Sequence, residues 1–460
     1  MNDLQTQLNQ MASFVVRVSY EDISEQARLQ IKIRIMDSLA CAIGALNGLP
    51  IRMVRQQLED FGGTPLCSLI SGGKTSPDRA AFYNGALVRY LDFNDSYLAK
   101  GETCHPSDNL GPVLAAAEYA GVTGKELMTA LAVAYQVQCR LSDEAPVRDK
   151  GFDHTTQGSY AVAAGVSKAL GLDQAKTANA IAISGTAFNA LRVTRTGKLS
   201  NWKGLAYPNT AFGCTHAAFL AMRGISGPSE VFEGNKGFMD SIAGKFSIDW
   251  QEEDLERVTR TVLKKYNAEI HSQSAIEGIL DLREEFDVLA DEVEFIDAEI
   301  FQVAYDIIGG GEEGSKRTIQ TKEEADHSLP YMLAVALLDG YVGPPQYLPE
   351  RIQRKDVQDL LQKVIIHPSD AFSRRFPAEL PCRIRLILKD GRRLEKEKRD
   401  YEGFLTSPMT WETVLKKFAA LSERFAGQEL RQQIVSAVVD LETIPVSDLM
   451  RLLTQVQSPG

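Results

Sequence analysis

"VEFIDAEIFQVA" (residues 293–304) is where the chain changes its repeat. Upstream the apolar residues recur at helical spacings; here, and again in "KVIIHPSD" (363–370), the residues read as strands. Downstream, "CRIRLILKDGRRLEKEKRDY" (382–401) alternates Cys382, Ile384, Leu386 and Leu388 before Asp390-Gly391. Asp-Gly between two extended runs predicts a two-residue hairpin turn, since both central positions tolerate positive φ. A small α+β unit therefore begins near residue 290.

On both sides of it the pattern is helical. Ile31, Ile35, Leu39, Ile43 and Leu46 line one helix face. Ser76-Pro77-Asp78 predicts a capped start for "RAAFYNGALVRYL", Asp108 or Asn109 caps the next helix, and Thr123 caps "GKELMTALAVAYQVQCRL". Gly171 is the expected stop for "SYAVAAGVSKAL", and the Ala-rich stretch 108–222 favours close helix packing. After Thr410 the helical period returns, with Val414, Leu415, Phe418 and Leu421 on one face. Those last helices either close the second domain or fold back on the first.

The length of 460 residues exceeds one ordinary core and argues for two domains. A net charge of -11 would repel a phosphate backbone or an anionic bilayer, so neither nucleic acid nor membrane is an expected partner. No apolar run approaches the roughly 20 residues of a membrane span. The start "MNDLQTQLNQMASFVVRVSY" lacks a basic, cleavable leader pattern, so a cytoplasmic protein is expected. Six cysteines (41, 67, 104, 139, 214, 382) without ligand-like spacing argue against zinc, an iron–sulfur cluster and a disulfide framework. No metal is expected.

Five stretches concentrate titratable residues. "YLDFNDSYLAKGETCHPSDNLG" (90–111) carries Asp92, Asp95 and His105 where a helix stops. Taken alone, these are as readily turn and capping groups as a site. "RDKGFDHTTQG" sets His154 at a helix start, either as a base kept neutral by the helix dipole or as a plain cap. "NALRVTRTGKLSNWKGLAYPN" holds Arg192, Arg195, Lys198 and Lys203, with Gly197, Gly204 and Pro208 read as helix breaks. A charge run is usually a solvated face, but interleaved Trp202, Leu205 and Tyr207 suggest a partly buried basic loop suited to carboxylates. "KKYNAEIHSQSAIEG" adds Lys264, Lys265 and His271, and "DHSLPYMLAVALLDG" adds Asp326, His327 and Tyr331. Lys265 as a surface residue and Tyr331 as a core aromatic are the plain alternatives. Four of the six histidines fall in these clusters, and that joint occurrence favours a site.

In order and spacing, "LDFNDSYL…HPSDNLG", "GFDH", "ALRVTR", "NWKG", "YNAEIHSQSAIE" and "DHSLPYMLAVALLDG" resemble the MmgE/PrpD family of 2-methylcitrate dehydratases, cis-aconitate decarboxylases and iminodisuccinate epimerases. The resemblance is closest to the dehydratase branch, although "YLAKGETCHPSDN" lacks a Trp-containing stretch common there. It implies a large all-α helical domain (1–268 and 402–460), a smaller α+β lid domain (269–401), a homodimer and an interdomain active site. It further implies a hydro-lyase acting on a small di- or tricarboxylate without metal or organic cofactor. A sibling decarboxylase or epimerase, or a silent carboxylate-binding homologue, is the alternative.

Residue by residue, the resemblance implies Asp92, His105, His154, Lys203 and Tyr331 as catalytic groups. Ser96, standing where relatives usually have Thr, Arg192, Arg195, Lys265 and His271 would bind substrate. Lys198 competes with Lys203 for the basic-loop role, because "LSNWKG" departs from the usual family loop. One histidine would take a proton while the other, or Tyr331, protonates the leaving hydroxyl; Asp92 would orient a histidine.

Overall fold

The computed structural model describes residues 6–457, which form two compact units. Among these, the first comprises 6–194, 204–261 and 410–457, and the second 195–203 and 262–409. The layout is helix-dominated, with one small mixed sheet.

In the first unit the anticipated helices form. Glu25–Gly44 buries Ile31, Ile35, Leu39 and Ile43; Pro77–Tyr90 starts with Pro at its first position after Ser76; Gly124–Glu144 opens on a Thr123–Glu126 capping box. Gly171, at φ 64°, follows the helix Thr155–Ala169. The returning helix Trp411–Ser422 turns Val414, Phe418 and Leu421 inward and packs on Glu25–Gly44.

Small residues set the spacing that positions the site. A Cβ on Gly111 would meet the Gly85 backbone nitrogen at 2.4 Å, so helices Leu110–Ala120 and Pro77–Tyr90 touch main chain to main chain. That contact, between the middle of one helix and the first turn of the next, brings the two ends of segment 90–111 near each other.

Several local expectations are corrected. The helical domain is not strictly all-α: Cys67–Ser68 pairs with Lys74–Thr75, and Tyr97–Leu98 with Thr103–Cys104. Asn109 does not cap with its side chain, which is instead bonded to the Pro106 carbonyl and Gln138. Helix Trp202–Met222 runs through Gly204 and Pro208, because an internal proline forfeits one backbone hydrogen bond without abolishing the packing of a long buried helix.

The second unit holds a four-stranded sheet in the order Val364–Pro368, Val293–Ile300, Cys382–Leu388, Arg393–Lys398, parallel in its first pair and antiparallel in the others. Ile296, Ala298 and Ile300 pair with Leu386, Ile384 and Cys382 on the buried face. The opposite face is a charge ladder, with Arg383 on Glu299 at 2.7 Å and Arg385 on Asp297 at 2.8 Å.

The first strand ends at Ile300, and Gln302–Ala304 turns helical rather than extended. The hairpin loop is also longer than the two-residue expectation. Leu388 N–H donates to the Arg392 carbonyl, Gly391 N–H to the Leu388 carbonyl, and only Gly391 of the loop has positive φ (89°). A three-residue loop of this kind relieves Asp390 of the left-handed conformation that a two-residue turn would impose.

Candidate active site

In the first unit, the end of helix Pro77–Tyr90 carries a buried guanidinium. Arg89 holds Asp92 at 2.7 Å, Asn94 at 3.4 Å and Asp108 at 3.5 Å, and Asp92 adopts φ 56°. The chain thus reverses around one cation, which is why His105 comes back beside the helix end. Asp95 is fully buried: its carboxylate accepts from Ser107 N–H at 3.0 Å, Ser107 hydroxyl at 2.6 Å and Tyr135 hydroxyl at 2.8 Å. Burial pushes the Asp95 carboxyl above its ordinary range, with the Ser107 donors pulling the other way.

His105 has its Nδ1 2.8 Å from the Asp95 carbonyl oxygen and 3.1 Å from the Ser96 hydroxyl. A carbonyl only accepts, so Nδ1 carries the hydrogen and Nε2 of the neutral ring is the basic nitrogen. His154 packs against it edge to face, ring centroids 5.3 Å apart. The His154 Nδ1 is 3.3 Å from Asp153, a fully buried carboxylate that also accepts the Thr155 N–H at 3.1 Å and lies 4.0 Å from Arg192. Behind His154, at 6.2 Å between ring centroids, stacks Tyr207, whose hydroxyl donates to Asn109 and Gln138. Nearby Glu102 is buried, which raises its carboxyl above the usual range against the pull of Arg192.

The second unit has its own cluster. Lys203 is buried, 2.6 Å from Asp326 and 2.9 Å from the His327 Nδ1, which is itself 2.9 Å from Asp326; Lys322 takes the other Asp326 oxygen at 2.6 Å. Burial alone would raise the Asp326 carboxyl, but Lys203, Lys322 and His327 outweigh it and hold it far below the usual range. Glu269 donates its backbone N–H to the Asp326 carbonyl and accepts from the His271 Nδ1 at 2.7 Å. Although Glu269 too is buried, His271, His327 and Lys264 keep it at about 2.

Of the sequence candidates, the structure brings His105, His154 and Ser96 together in the first unit, with Arg192 beside Asp153. Ser96 lies on the His105 ring and Asp92 on Arg89; the Asp95 carbonyl and Ser96 lie at the His105 Nδ1, and Asp153 at the His154 Nδ1. In the second unit Arg195 donates to the Lys203 carbonyl at 3.1 Å. Lys203 is buried and Lys198 exposed, which separates the two basic-loop lysines.

His271 joins the second cluster through Glu269. Lys265 does not: it is ion-paired to Glu277 at 2.9 Å and Glu402 at 3.2 Å, and its neighbour Lys264 is the fully buried lysine. Tyr331 is buried with its hydroxyl donated to the Gln346 carbonyl, and burial raises it well above the ordinary phenol range. Residues missed from sequence are Arg89, Glu269 and the Asp95 carbonyl. Glu269 had a signal, since Glu-x-His puts a carboxylate within reach of the ring; Arg89 looks like any helix arginine, and a backbone oxygen has none.

Buried imidazoles fixed at one nitrogen, together with buried lysine–carboxylate networks, are the kind of groups that acid–base chemistry on an anion uses. The chain belongs to the MmgE/PrpD family: the model of the MmgE/PrpD N-terminal domain matches residues 9–251 and that of the C-terminal domain residues 266–441. It is 28% identical to the 2-methylcitrate dehydratase of Escherichia coli K12 over 410 residues, 84% of this chain and 83% of that one. It is 29% identical to the mitochondrial 2-methylcitrate dehydratase of Yarrowia lipolytica (82% and 76% covered) and 28% identical to the cis-aconitate decarboxylase of Mus musculus (82% and 78%). Among the described residues no helix is long and apolar enough to cross a membrane.

Proposed function

We propose that this chain is a hydro-lyase of the 2-methylcitrate dehydratase type, eliminating water from a 2-hydroxy tricarboxylate. The observation that carries the reading is the imidazole pair His105 and His154, each anchored at Nδ1 by a different kind of group. The anchor on His105 is a neutral carbonyl, which suits a neutral ring whose Nε2 takes the proton from the carbon next to a carboxylate. His154 faces a carboxylate, which favours the protonated ring, so it donates the proton that lets hydroxide leave as water. The electron pair of the broken C–H bond becomes the new carbon–carbon double bond as the C–O bond breaks.

Lys203, held by Asp326 and His327, and the guanidinium groups of Arg192 and Arg195 serve the substrate carboxylates and the charge that builds up on them in the transition state. Tyr331 and Lys265, whose polar atoms are engaged elsewhere, support the fold rather than the chemistry. The same reading includes a cytoplasmic location and a homodimer; sedimentation of the purified protein tests the homodimer.

The functional test offers 2-methylcitrate, citrate, cis-aconitate and iminodisuccinate to the purified protein and follows products by NMR. Conversion of a 2-hydroxy tricarboxylate to its unsaturated acid is expected, with H105N and H154N each lowering kcat by about 10²–10⁴-fold while remaining folded. Full turnover in both variants would defeat the assignment. The similarity to a cis-aconitate decarboxylase, at the same 28% identity, gives the second reading a definite signature: carbon dioxide released from cis-aconitate.

A further inference from the structure

Helix Trp411–Ser422 is amphipathic, with Val414, Phe418 and Leu421 inward, yet it also directs a lysine into the interior of the first unit. The Lys417 side chain is only 8% exposed. Its ammonium lies 2.7 Å from the Asp37 carboxylate, 2.7 Å from the Phe93 carbonyl oxygen and 3.6 Å from the centroid of the Phe93 ring. An ammonium has three hydrogens, and a carboxylate, a carbonyl and a ring face can all receive them. A buried ion pair is a poor way to gain stability, because desolvating both charges offsets their attraction; in some proteins its role is to fix a geometry.

The geometry it fixes is that of the loop after helix Pro77–Tyr90. Phe93 sits between Asp92, whose left-handed conformation costs strain, and the Asn94–Ser96 run. Two residues past the anchored Phe93 carbonyl comes the Asp95 carbonyl that holds the His105 Nδ1, followed by the Ser96 hydroxyl on the same nitrogen. Asp95 also ties down the chain just past His105, through its carboxylate on Ser107. Lys417 thus brings an ammonium to the main chain of this loop from a helix more than 300 residues away along the chain.

We propose that Lys417 is a positioning residue for the reaction: its bond to the Phe93 carbonyl sets the Asp92–Ser96 loop, and through it the orientation of the His105 imidazole. The inference rests on His105 acting in the dehydration proposed above. Asp37 supplies the countercharge that keeps the ammonium buried.

The test compares K417M with D37N in the full-length protein, each measured for thermal stability, kcat and KM on the substrate that the wild type turns over. Both variants break the ion pair and are expected to lose stability to a similar extent. Only K417M removes the donor to Phe93, so only K417M is expected to lose kcat, by about 10²-fold, a loss typical of misplaced catalytic groups, with KM little changed. Should K417M fail to fold, D37L/K417M replaces the ion pair with apolar side chains, a change that buried pairs often tolerate, and the same loss of kcat is expected in a folded protein.

Equal kcat in folded K417M, or in folded D37L/K417M, and the wild type overturns the proposal, as does a fall in kcat that merely tracks stability across K417M and D37N. H105N run in the same assay separates the two claims. Full activity in H105N overturns the reading of the site and this inference together; an inactive H105N beside a fully active K417M overturns this inference alone.

Discussion

His105 and His154 of the first unit, and His271 and His327 of the second, are all buried, but their surroundings differ in kind. The first pair sits among neutral or singly charged anchors: a carbonyl and a hydroxyl on His105, one carboxylate on His154. The second pair lies in a dense ionic network, where Asp326 is shared by Lys203, Lys322 and His327, and Glu269 by His271 and a main-chain contact to Asp326. A ring that must gain and lose a proton needs an environment that does not lock either state, as around His105. A cation that must keep its charge when buried needs a strong ionised acid beside it, as around Lys203. Histidine burial alone therefore does not mark a proton carrier; what differs as well is how many cations share the anchoring carboxylate, since Asp326 is held by Lys203 and Lys322 in addition to His327.

The sharpest way to break this contrast is D153N. It leaves the His154 ring in place but removes the charge at its Nδ1, and an amide can also present a donor to a nitrogen that should itself donate. A loss in kcat of about 10²–10³-fold is expected, and the double variant D153N/H154N is expected to be no worse than H154N alone, because the two residues act as a unit. Additive losses, measured by steady-state kinetics on the three proteins, would mean that Asp153 works apart from His154.

The second unit predicts a pH dependence. Glu269 and Asp326 have folded-state pKa values depressed below the ordinary range, the former to about 2. A depressed acid contributes stability that is present above its unfolded pKa and is lost as pH falls through the folded one. The window therefore runs from about pH 4.5 down towards 2, with a loss on the order of 1–3 kcal/mol for Glu269. Denaturant titrations across that window should show a flatter stability curve for E269Q than for the wild type. Asp95 in the first unit has the opposite sign: burial raises its pKa, so its own contribution improves rather than fails as the solution is acidified.

Much of the fold was readable because helices and strands impose different periods. Ser76-Pro77, Thr123 and Gly171 marked real helix boundaries, and the alternation of Cys382, Ile384, Leu386 and Leu388 marked a real strand. What failed was local: Pro208 did not stop a helix whose packing compensates for one lost hydrogen bond, and Asp390-Gly391 sat in a three-residue loop because strand register, not the dipeptide, sets loop length. For the site, the side chains proposed to carry the chemistry were visible as clusters, His105, His154 and Lys203 among them. The Asp95 carbonyl at His105 was not, because a backbone atom has no residue type. Nor was the pairing of Lys265 with Glu277 and Glu402, since Lys264 and Lys265 are indistinguishable in sequence and differ only in which side of the chain faces the interior.

The smallest expected effect belongs to Lys198, the rival of Lys203 in the basic loop. Lys203 is buried against Asp326 and His327, whereas Lys198 is exposed. Surface charges away from such partners seldom move stability by more than about 0.5 kcal/mol. K198A is therefore expected to match the wild type in thermal stability and to change kcat/KM little beyond a weakened salt dependence, since a mobile exposed charge can steer an anion without holding it. K203M leaves Asp326 facing Lys322 and His327 without its main partner and is expected to lose turnover under the same conditions. If K198A instead lost as much activity as K203M, exposure in this loop would not be the property that separates the two lysines. The contrast between a cation fixed by its carboxylate and one left in solvent would then have to be drawn elsewhere.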